Sequence, residues 1–195
     1  ERNSTAHLQR GIKNNKNGIA VKEIVQIEKL LCEYAPLMAR IAATFEANKS
    51  LQDELIQEMS LAVWRAFEGA SKEGGSGFRG EASVKTFVVK VAHNKAVDHV
   101  IKEQRRQEFT HEGEFDSSHT TSASSSLDAT LQENAMDLMT GLRQLEIKYR
   151  QVLALLLEGF SQLEIASMLG IKESAVAKRV SRARQQLTQI MGQQP

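Results

Sequence analysis

The sequence predicts an all-α protein made of two helical domains joined by a flexible linker. Proline is nearly absent, with two residues in 195, and aromatic residues make up only 5% of the chain. This composition favours long helices over sheet. Over most of the chain, apolar residues recur every three or four positions, as on one face of a helix. A polar stretch between two such regions is typical of a linker.

Composition divides the chain into four parts. Residues 1–18 are polar and lack periodicity, which predicts a flexible tail. Residues 19–106 form the first helical domain, and residues 128–192 form the second. The intervening residues 107–127 are acidic and rich in Ser and Thr. They offer too little apolar surface to offset the entropy of ordering, so we expect this linker to be disordered when no partner is bound.

The first domain begins with two predicted helices. Periodic apolar residues predict a helix over 19–47, interrupted or kinked near Pro36 because proline removes a backbone donor. A second helix is predicted from about 52 to 67. Its first turn would then contain Asp53 and Glu54, where carboxylates interact favourably with the helix dipole.

The rest of the first domain combines a loop with a basic helix. Five glycines between positions 69 and 80 predict a flexible loop, which contains Phe78 and Arg79. The helix that follows, over 83–106, has six basic residues and two acids, a local charge of +4. A basic helix can hold phosphates, although charged helix faces are also often merely solvated.

The most specific local pattern is a helix-turn-helix between Ser161 and Leu187. Gly170 stands at the turn, and Ser161 with Glu164 has the spacing of a capping box. Apolar residues at helical spacing would pack the second helix against the first. This inward stripe consists of Val176, Val180, Ala183 and Leu187.

The second helix of this motif has the charge of a DNA-recognition helix. Five basic residues and one acid lie between Ile171 and Met191, a local charge of +4. The alternative is a helical hairpin whose basic face is only solvated. The candidate DNA contacts of the motif are Lys172, Ser174, Lys178, Arg179, Arg182 and Arg184.

Composition excludes several other classes of protein. The single cysteine, Cys32, cannot form an intramolecular disulfide or a multi-thiolate zinc site. Apolar runs are far shorter than a membrane span, and we expect a cytoplasmic protein. Neither a phosphate-binding glycine loop after a strand nor a metal-binding histidine motif is present. We therefore expect no enzymatic activity, cofactor, metal or small-molecule substrate.

The order and spacing of these motifs resemble those of the sigma-70 family of bacterial transcription factors, in its small extracytoplasmic-function (ECF) group. The segments that resemble region 2 of that family are Asp53–Met59, Ala62–Phe67, Phe78–Glu81, Phe87 and Val91–His99. The segments that resemble region 4 are Tyr149–Val152, Glu158–Ser161, Glu164–Ala166, Leu169–Ile171 and Val176–Arg184. Phe87 stands where the family usually has Trp.

The resemblance implies a function and a set of contacts. Members bind core RNA polymerase through its clamp helices and flap, and they direct it to promoter DNA, which they contact in duplex and melted form. The residues implied for polymerase docking are Asp53, Glu54, Gln57 and Glu58, with Trp64 in the core. The residues implied for the minus-10 element and melting are Phe78, Arg79, Lys90, His93, Asn94, Lys95, His99, Arg105 and Arg106. The helix-turn-helix would read the minus-35 element, and an anti-sigma factor is an expected partner.

Two other functions are compatible with a terminal helix-turn-helix. One is a stand-alone regulator that binds an operator without polymerase, which leaves the first domain to serve in dimerisation or ligand binding. The other is a DNA recombinase, which would need a catalytic domain with strands. Residues 20–106 show no strand pattern, which argues against the recombinase.

Overall fold

The computed structural model describes residues 21–70, 82–109 and 126–192. Over these residues the chain is helical, and the predicted all-α class is confirmed. None of the helices within the described ranges is long and apolar enough to cross a membrane. The helices are α1 (Val21–Phe45), α2 (Lys49–Ala70), α3 (Val84–Phe109), α4 (Ser126–Gln144), α5 (Ile147–Leu157), α6 (Gln162–Leu169) and α7 (Glu173–Gly192).

The first domain consists of α1, α2 and α3, which pack against one another. The sequence predicts an interruption or a kink of α1 near Pro36. An interruption is wrong, because the helix runs unbroken from Val21 to Phe45 with Pro36 inside it, and a kink there stays a prediction. Buried side chains from all three helices fill the centre of this bundle. They include Met38, Ile41, Leu55, Met59 and Val89.

The start of α2 differs from the sequence prediction. Asn48 caps this helix, since its Oδ1 accepts hydrogen bonds from the backbone N–H groups of Ser50 (2.9 Å) and Leu51 (3.3 Å). The helix therefore begins at Lys49, three residues earlier than predicted. Asp53 and Glu54 consequently lie beyond the first turn, where the helix dipole has little effect on them.

The helices that border the predicted linker extend into it. Ser83 caps α3 by accepting a hydrogen bond from the N–H of Thr86 at 3.0 Å, and α3 continues to Phe109. Helix α4 begins at Ser126, two residues before the predicted start of the second domain. The predictions for the tail at 1–18 and for most of the linker lie outside the described residues.

The second domain contains the predicted helix-turn-helix in α6 and α7. Ser161 Oγ accepts a hydrogen bond from the N–H of Glu164, whose carboxylate accepts one from the N–H of Ser161, so the capping box is confirmed. Gly170 ends α6 with φ of 65°, a conformation that favours glycine. At Gly141 a Cβ would lie 2.8 Å from Leu187 Cδ1, so glycine allows α4 and α7 to approach closely.

The two domains dock on each other and share one continuous hydrophobic core. Helix α1 contacts α4 and α5, and α3 contacts α5. Arg143 Nη1, from α4, donates a 2.7 Å hydrogen bond to the carbonyl of Ala43 near the end of α1. Thr44 Oγ1 also lies 3.4 Å from Met139 Sδ. The sequence predicted the two domains but not this docking, because its contacts join residues about 100 positions apart.

Candidate nucleic-acid and polymerase interfaces

Helix α7 has an apolar side and a basic side, as a DNA-recognition helix requires. Val176, Val180 and Ala183 are buried against the rest of the second domain, and Leu187 is half-buried. These residues orient the helix and direct its opposite side to solvent. The predicted inward stripe is therefore confirmed.

The exposed side of α7 brings three of the predicted DNA contacts together. Ser174, Lys178 and Arg182 are exposed and follow each other at four-residue intervals, so they form one row along the helix. At about 100° per residue, Arg179 and Arg184 lie on opposite flanks of this row. Arg179 is half-buried, and Arg184 is exposed. Two cations in one row can enter a groove while flanking cations reach phosphates.

The turn before α7 supplies the remaining predicted contact. Lys172 is exposed and stands just before the first residue of the helix. Its carbonyl accepts hydrogen bonds from the N–H groups of Ala175 (2.9 Å) and Val176 (3.2 Å), which fixes the helix start. A lysine beside a helix N-terminus suits a phosphate, because the free N–H groups and the dipole also attract an anion.

Helix α3 also presents a row of polar side chains to solvent. Lys90, Asn94 and Arg105 are exposed on the side opposite the buried Val89 and Ala96. Lys95 is half-buried at the edge of this row. Arg106 is exposed and lies 3.7 Å from the carboxylate of Glu103. The predicted minus-10 helix thus has an accessible basic side.

The structure corrects the expectation for His93. Its side chain is 2% exposed and packs edge to face on the ring of Phe45, with 5.6 Å between ring centroids. Burial lowers the pKa of His93 to about 4, and a hydrogen bond with the backbone of Gln151 opposes this shift only in part. A buried neutral ring between the domains cannot contact DNA in this arrangement.

His99 is directed to a carboxylate of its own domain. Its Nε2 lies 2.8 Å from Glu46 Oε2, and both side chains are mostly buried. The second oxygen of Glu46 accepts a hydrogen bond from the N–H of Asn48 at 2.7 Å. The pair therefore joins α3 to the turn between α1 and α2. In this arrangement His99 stabilises the first domain and is separate from the exposed row of α3.

The predicted docking residues lie together on one exposed side of α2. Asp53, Glu54, Gln57 and Glu58 are all exposed and succeed each other at helical spacing. Asp53 forms an ion pair with Lys49 at 2.9 Å, a surface contact of small energetic value. Trp64 is half-buried, so the expectation that it is a core residue is wrong.

Phe78 and Arg79 lie outside the described residues. The helices on either side of their segment are nevertheless held together. The rings of Phe67, near the end of α2, and Phe87, near the start of α3, meet edge to face with 5.2 Å between centroids. This contact holds the end of α2 close to the start of α3.

A polar cluster between the domains is not predictable from the sequence. Arg40 of α1 and Lys85 of α3 both donate hydrogen bonds to Glu158, which follows α5. Arg40 and Glu158 are 118 positions apart. Local spacing and periodicity carry no signal for a pair this distant, so only the tertiary structure reveals the cluster.

Two family models match the chain. Residues 30–106 match the model for sigma-70 region 2, and residues 135–187 match the model for sigma-70, region 4. The first match contains α2 and most of α1 and α3, and the second contains the helix-turn-helix from Ser161 to Leu187. None of the curated proteins matches the sequence.

Solved structures share the arrangement of the helices. The sigma factor RpoE from Bartonella quintana, solved in complex with the anti-sigma factor NepR, is 19% identical with a TM-score of 0.66. The match covers 87% of this chain and 99% of that one. CnrH, solved in complex with the cytosolic domain of CnrY, is 20% identical with a TM-score of 0.56, and the match covers 87% and 89% of the two chains. These likenesses establish the fold.

Proposed function

The chain belongs to the sigma-70 family of transcription initiation factors, in its ECF group, and we propose that it is a promoter-specificity factor. It binds core RNA polymerase, recognises minus-10 and minus-35 promoter elements, and promotes melting of the DNA. The observation that carries the proposal is that one chain has two separate basic surfaces, on α3 and α7, and an acidic face on α2.

In this proposal α7 reads the minus-35 element. Lys178 and Arg182 lie in one exposed row and enter the major groove, where either can bind the acceptors of guanine. Lys172, Arg179 and Arg184 flank that row and hold the phosphates. The buried stripe of α7 keeps these side chains in a fixed relation to the rest of the domain.

Helix α3 and the preceding segment act at the minus-10 element. Lys90, Asn94 and Arg105, with Lys95 and Arg106 beside them, contact one DNA strand. Phe78 stacks on a base taken out of the duplex and Arg79 pairs with the adjacent phosphate, since an extruded base needs an aromatic surface and its phosphates need cations. His93 is not among these contacts because its ring is buried.

The proposal assigns polymerase binding to both domains. The acidic face of α2 docks on the clamp helices, and the second domain meets the flap. An anti-sigma factor is a further partner, supported by the similar structure of the sigma factor RpoE, which was solved with the anti-sigma factor NepR. The protein acts in the cytoplasm and catalyses no reaction itself.

Reconstitution with core RNA polymerase tests this function. We expect the purified chain to be monomeric, to join core polymerase during size-exclusion chromatography, and to direct run-off transcription from members of a promoter library. Charge reversal of Asp53 and Glu58 to Lys should abolish assembly without loss of helicity. The matched control reverses the exposed acids Glu28 and Glu33 of α1 and should assemble normally.

The same experiment separates the rival function. A stand-alone regulator would protect a specific duplex at physiological salt without polymerase, and it would ignore core polymerase. A chain that footprints DNA tightly by itself, together with a D53K/E58K variant that still joins polymerase, would contradict the sigma proposal. Replacing Lys178 or Arg182 with Ala should cost about 1–3 kcal/mol of binding and relax specificity at one minus-35 position.

A further inference from the structure

The segment between α5 and α6 is held against the first domain by an arginine fork. Arg40 Nε donates a hydrogen bond to Glu158 Oε1 at 3.0 Å, and Arg40 Nη2 donates one to Oε2 at 2.8 Å. The side chain of Glu158 is only 9% exposed, whereas that of Arg40 is 55% exposed. The carboxylate is therefore enclosed by the contact, and the guanidinium remains accessible from one side.

A second cation of the first domain binds the same residue. Lys85 Nζ donates a 2.8 Å hydrogen bond to the backbone carbonyl of Glu158, and it lies 5.3 Å from the ring centroid of Phe160. Hydrogen bonds from Ser161 lower the pKa of Glu164, and the charge of Lys85 adds to this effect. Two cations of the first domain thus face two acids of the second.

The chemistry of these two cations fits a phosphate as well as a carboxylate. A guanidinium offers two parallel N–H donors that match either oxyanion, and an ammonium beside it adds a point charge. Because both groups contact Glu158, they are close enough to bind one phosphate or two adjacent ones. Lys85 also belongs to α3, the helix assigned above to the minus-10 element.

We propose that Arg40 and Lys85 form a binding site for the nucleic-acid phosphate backbone, and that Glu158 occupies this site in the free chain. The residue is then an internal competitor of DNA: its carboxylate holds Arg40 where a phosphate would bind, and its carbonyl holds Lys85. This inference rests on the proposed function, since it assigns further DNA contacts and a regulation to the same protein.

The dimensions of the docked domains indicate that Arg40 and Lys85 exchange Glu158 for phosphate when the chain binds both DNA elements. A compact body of the size of the described residues has a radius of gyration of about 15 Å, hence a width of about 40 Å. Two DNA elements two helical turns apart are separated by about 70 Å. The domains must therefore separate to read both elements, and separation removes Glu158 from Arg40 and Lys85.

DNA binding by the free chain provides the first test. The probe is a fluorescent fork DNA of arbitrary sequence, because phosphate contacts do not depend on sequence. Glu158→Gln removes the charge with little change of shape, and we expect about three- to fivefold tighter binding than wild type. The control is Glu146→Gln, which removes an exposed acid paired with Lys148 within the second domain and should leave binding unchanged.

The salt dependence identifies the contacts themselves. Starting from the E158Q chain, Arg40→Gln and Lys85→Gln should each reduce the slope of log affinity against log salt by about 0.7 to 0.9, the value for one lost phosphate contact. Slopes equal to that of E158Q would overturn the assignment of these two residues to a phosphate site. If E158Q bound DNA more tightly but neither Arg40→Gln nor Lys85→Gln changed the slope, the tighter binding would not come from a phosphate site at these two residues.

A distance measurement tests the competitor role without DNA or polymerase. The only cysteine, Cys32, is exposed on α1, and Gln189→Cys adds an exposed site on α7, so two spin labels report the separation of the domains. We expect one narrow distance distribution for this pair and a broader, longer one after E158Q. An identical distribution for both would overturn the competitor role. Failure of the chain to join core polymerase would contradict the proposed function, but it would not affect the DNA-binding and distance measurements that test this inference.

Discussion

The two domains reach their structures by different routes. The helix-turn-helix of the second domain is defined by neighbouring residues, namely the Ser161 and Glu164 capping box and the left-handed Gly170. The first domain depends more on contacts between distant residues, such as the His99 and Glu46 pair and the burial of His93 against Phe45. Locally encoded structure can be read from a sequence, whereas contacts between distant residues cannot.

The features that the sequence predicts correctly follow this division. Cap, turn and inward stripe of the helix-turn-helix were all predicted at the correct positions, because each depends on residues a few positions apart. The outward row of α7 then follows from the stripe. In the first domain the helices were predicted, but helical periodicity cannot reveal which polar residues a second domain covers. His93 was therefore placed on a DNA surface although it lies at a domain contact.

Helix boundaries failed for a related reason. Periodicity does not reveal the Asn48 cap, because Leu51 is the one apolar residue in the first turn of α2 and the buried stripe begins at Leu55. Pro36 does not interrupt α1, because packing of Leu37, Met38 and Ile41 keeps the helix continuous around it. Tertiary burial of several side chains outweighs the loss of one backbone hydrogen bond.

The largest expected effect tests whether the two domains unfold independently. Ile165→Ala in α6 and Met59→Ala in α2 each remove a fully buried side chain and should cost about 2–5 kcal/mol. The single tryptophan, Trp64, lies in the first domain, so its fluorescence reports that domain alone. Because the core is continuous, we expect Ile165→Ala to shift the Trp64 transition in urea as well as the circular dichroism transition.

A neighbouring substitution supplies the control for this test. Leu163 lies on the same helix but is 66% exposed, so Leu163→Ala should change stability little. A Trp64 transition that remains at the wild-type urea concentration in the Ile165→Ala protein would show that the domains unfold separately.

The next effect concerns the buried histidine and its dependence on pH. His93 has a folded pKa of about 4, below its ordinary value of about 6.5, so the unfolded chain binds a proton more readily. The stability that a neutral His93 provides is therefore complete above about pH 6.5 and is lost as the pH falls towards 4, by about 3 kcal/mol.

Urea denaturation across this pH range checks the prediction. His93→Phe keeps an aromatic ring in the same position and should flatten the fall in stability between about pH 6.5 and pH 4. His99→Gln, which alters the histidine paired with Glu46, should leave the His93 contribution in place. An equally steep fall in the His93→Phe protein would show that other groups cause it.

A smaller effect is expected at the turn of the helix-turn-helix. Gly170 has φ of 65°, and a side chain in this conformation costs about 1–2 kcal/mol. Among the described residues, no atom beyond the two chain neighbours lies within 4 Å of a Cβ built there, so Gly170→Ala measures backbone strain. Gly192→Ala, which also meets open space, should change the melting temperature little. Equal melting temperatures for the two variants would contradict a backbone requirement at position 170.

The smallest expected effect compares helix caps in the two domains. Ser161→Ala and Asn48→Ala each remove one side-chain cap and should cost about 1 kcal/mol. Hydrogen bonds from Ser161 lower the pKa of Glu164. The stability that these hydrogen bonds to the carboxylate provide is therefore present above the ordinary glutamate pKa, and it is lost as the pH falls through the lowered pKa of Glu164.

An exposed serine provides the reference for the caps. Ser167 is exposed within α6 and does not cap the helix, so Ser167→Ala should change the melting temperature little. If Ser161→Ala were equally neutral, the capping box would contribute little to the stability of the second domain, which would contradict a stabilising role for its locally encoded cap.

The hydrogen bond from Arg143 to the carbonyl of Ala43 bears on how this chain can be divided or recombined. One domain supplies the donor that completes the end of a helix in the other. A fragment that stops after α3 retains every residue of the first domain but lacks this donor, so we expect the last turn of α1 to fray in it. A chimera that takes its second domain from a relative must therefore keep a cation at the position of Arg143. Such an exchange has to preserve the docked surface between the domains, and a junction within the linker is not sufficient by itself.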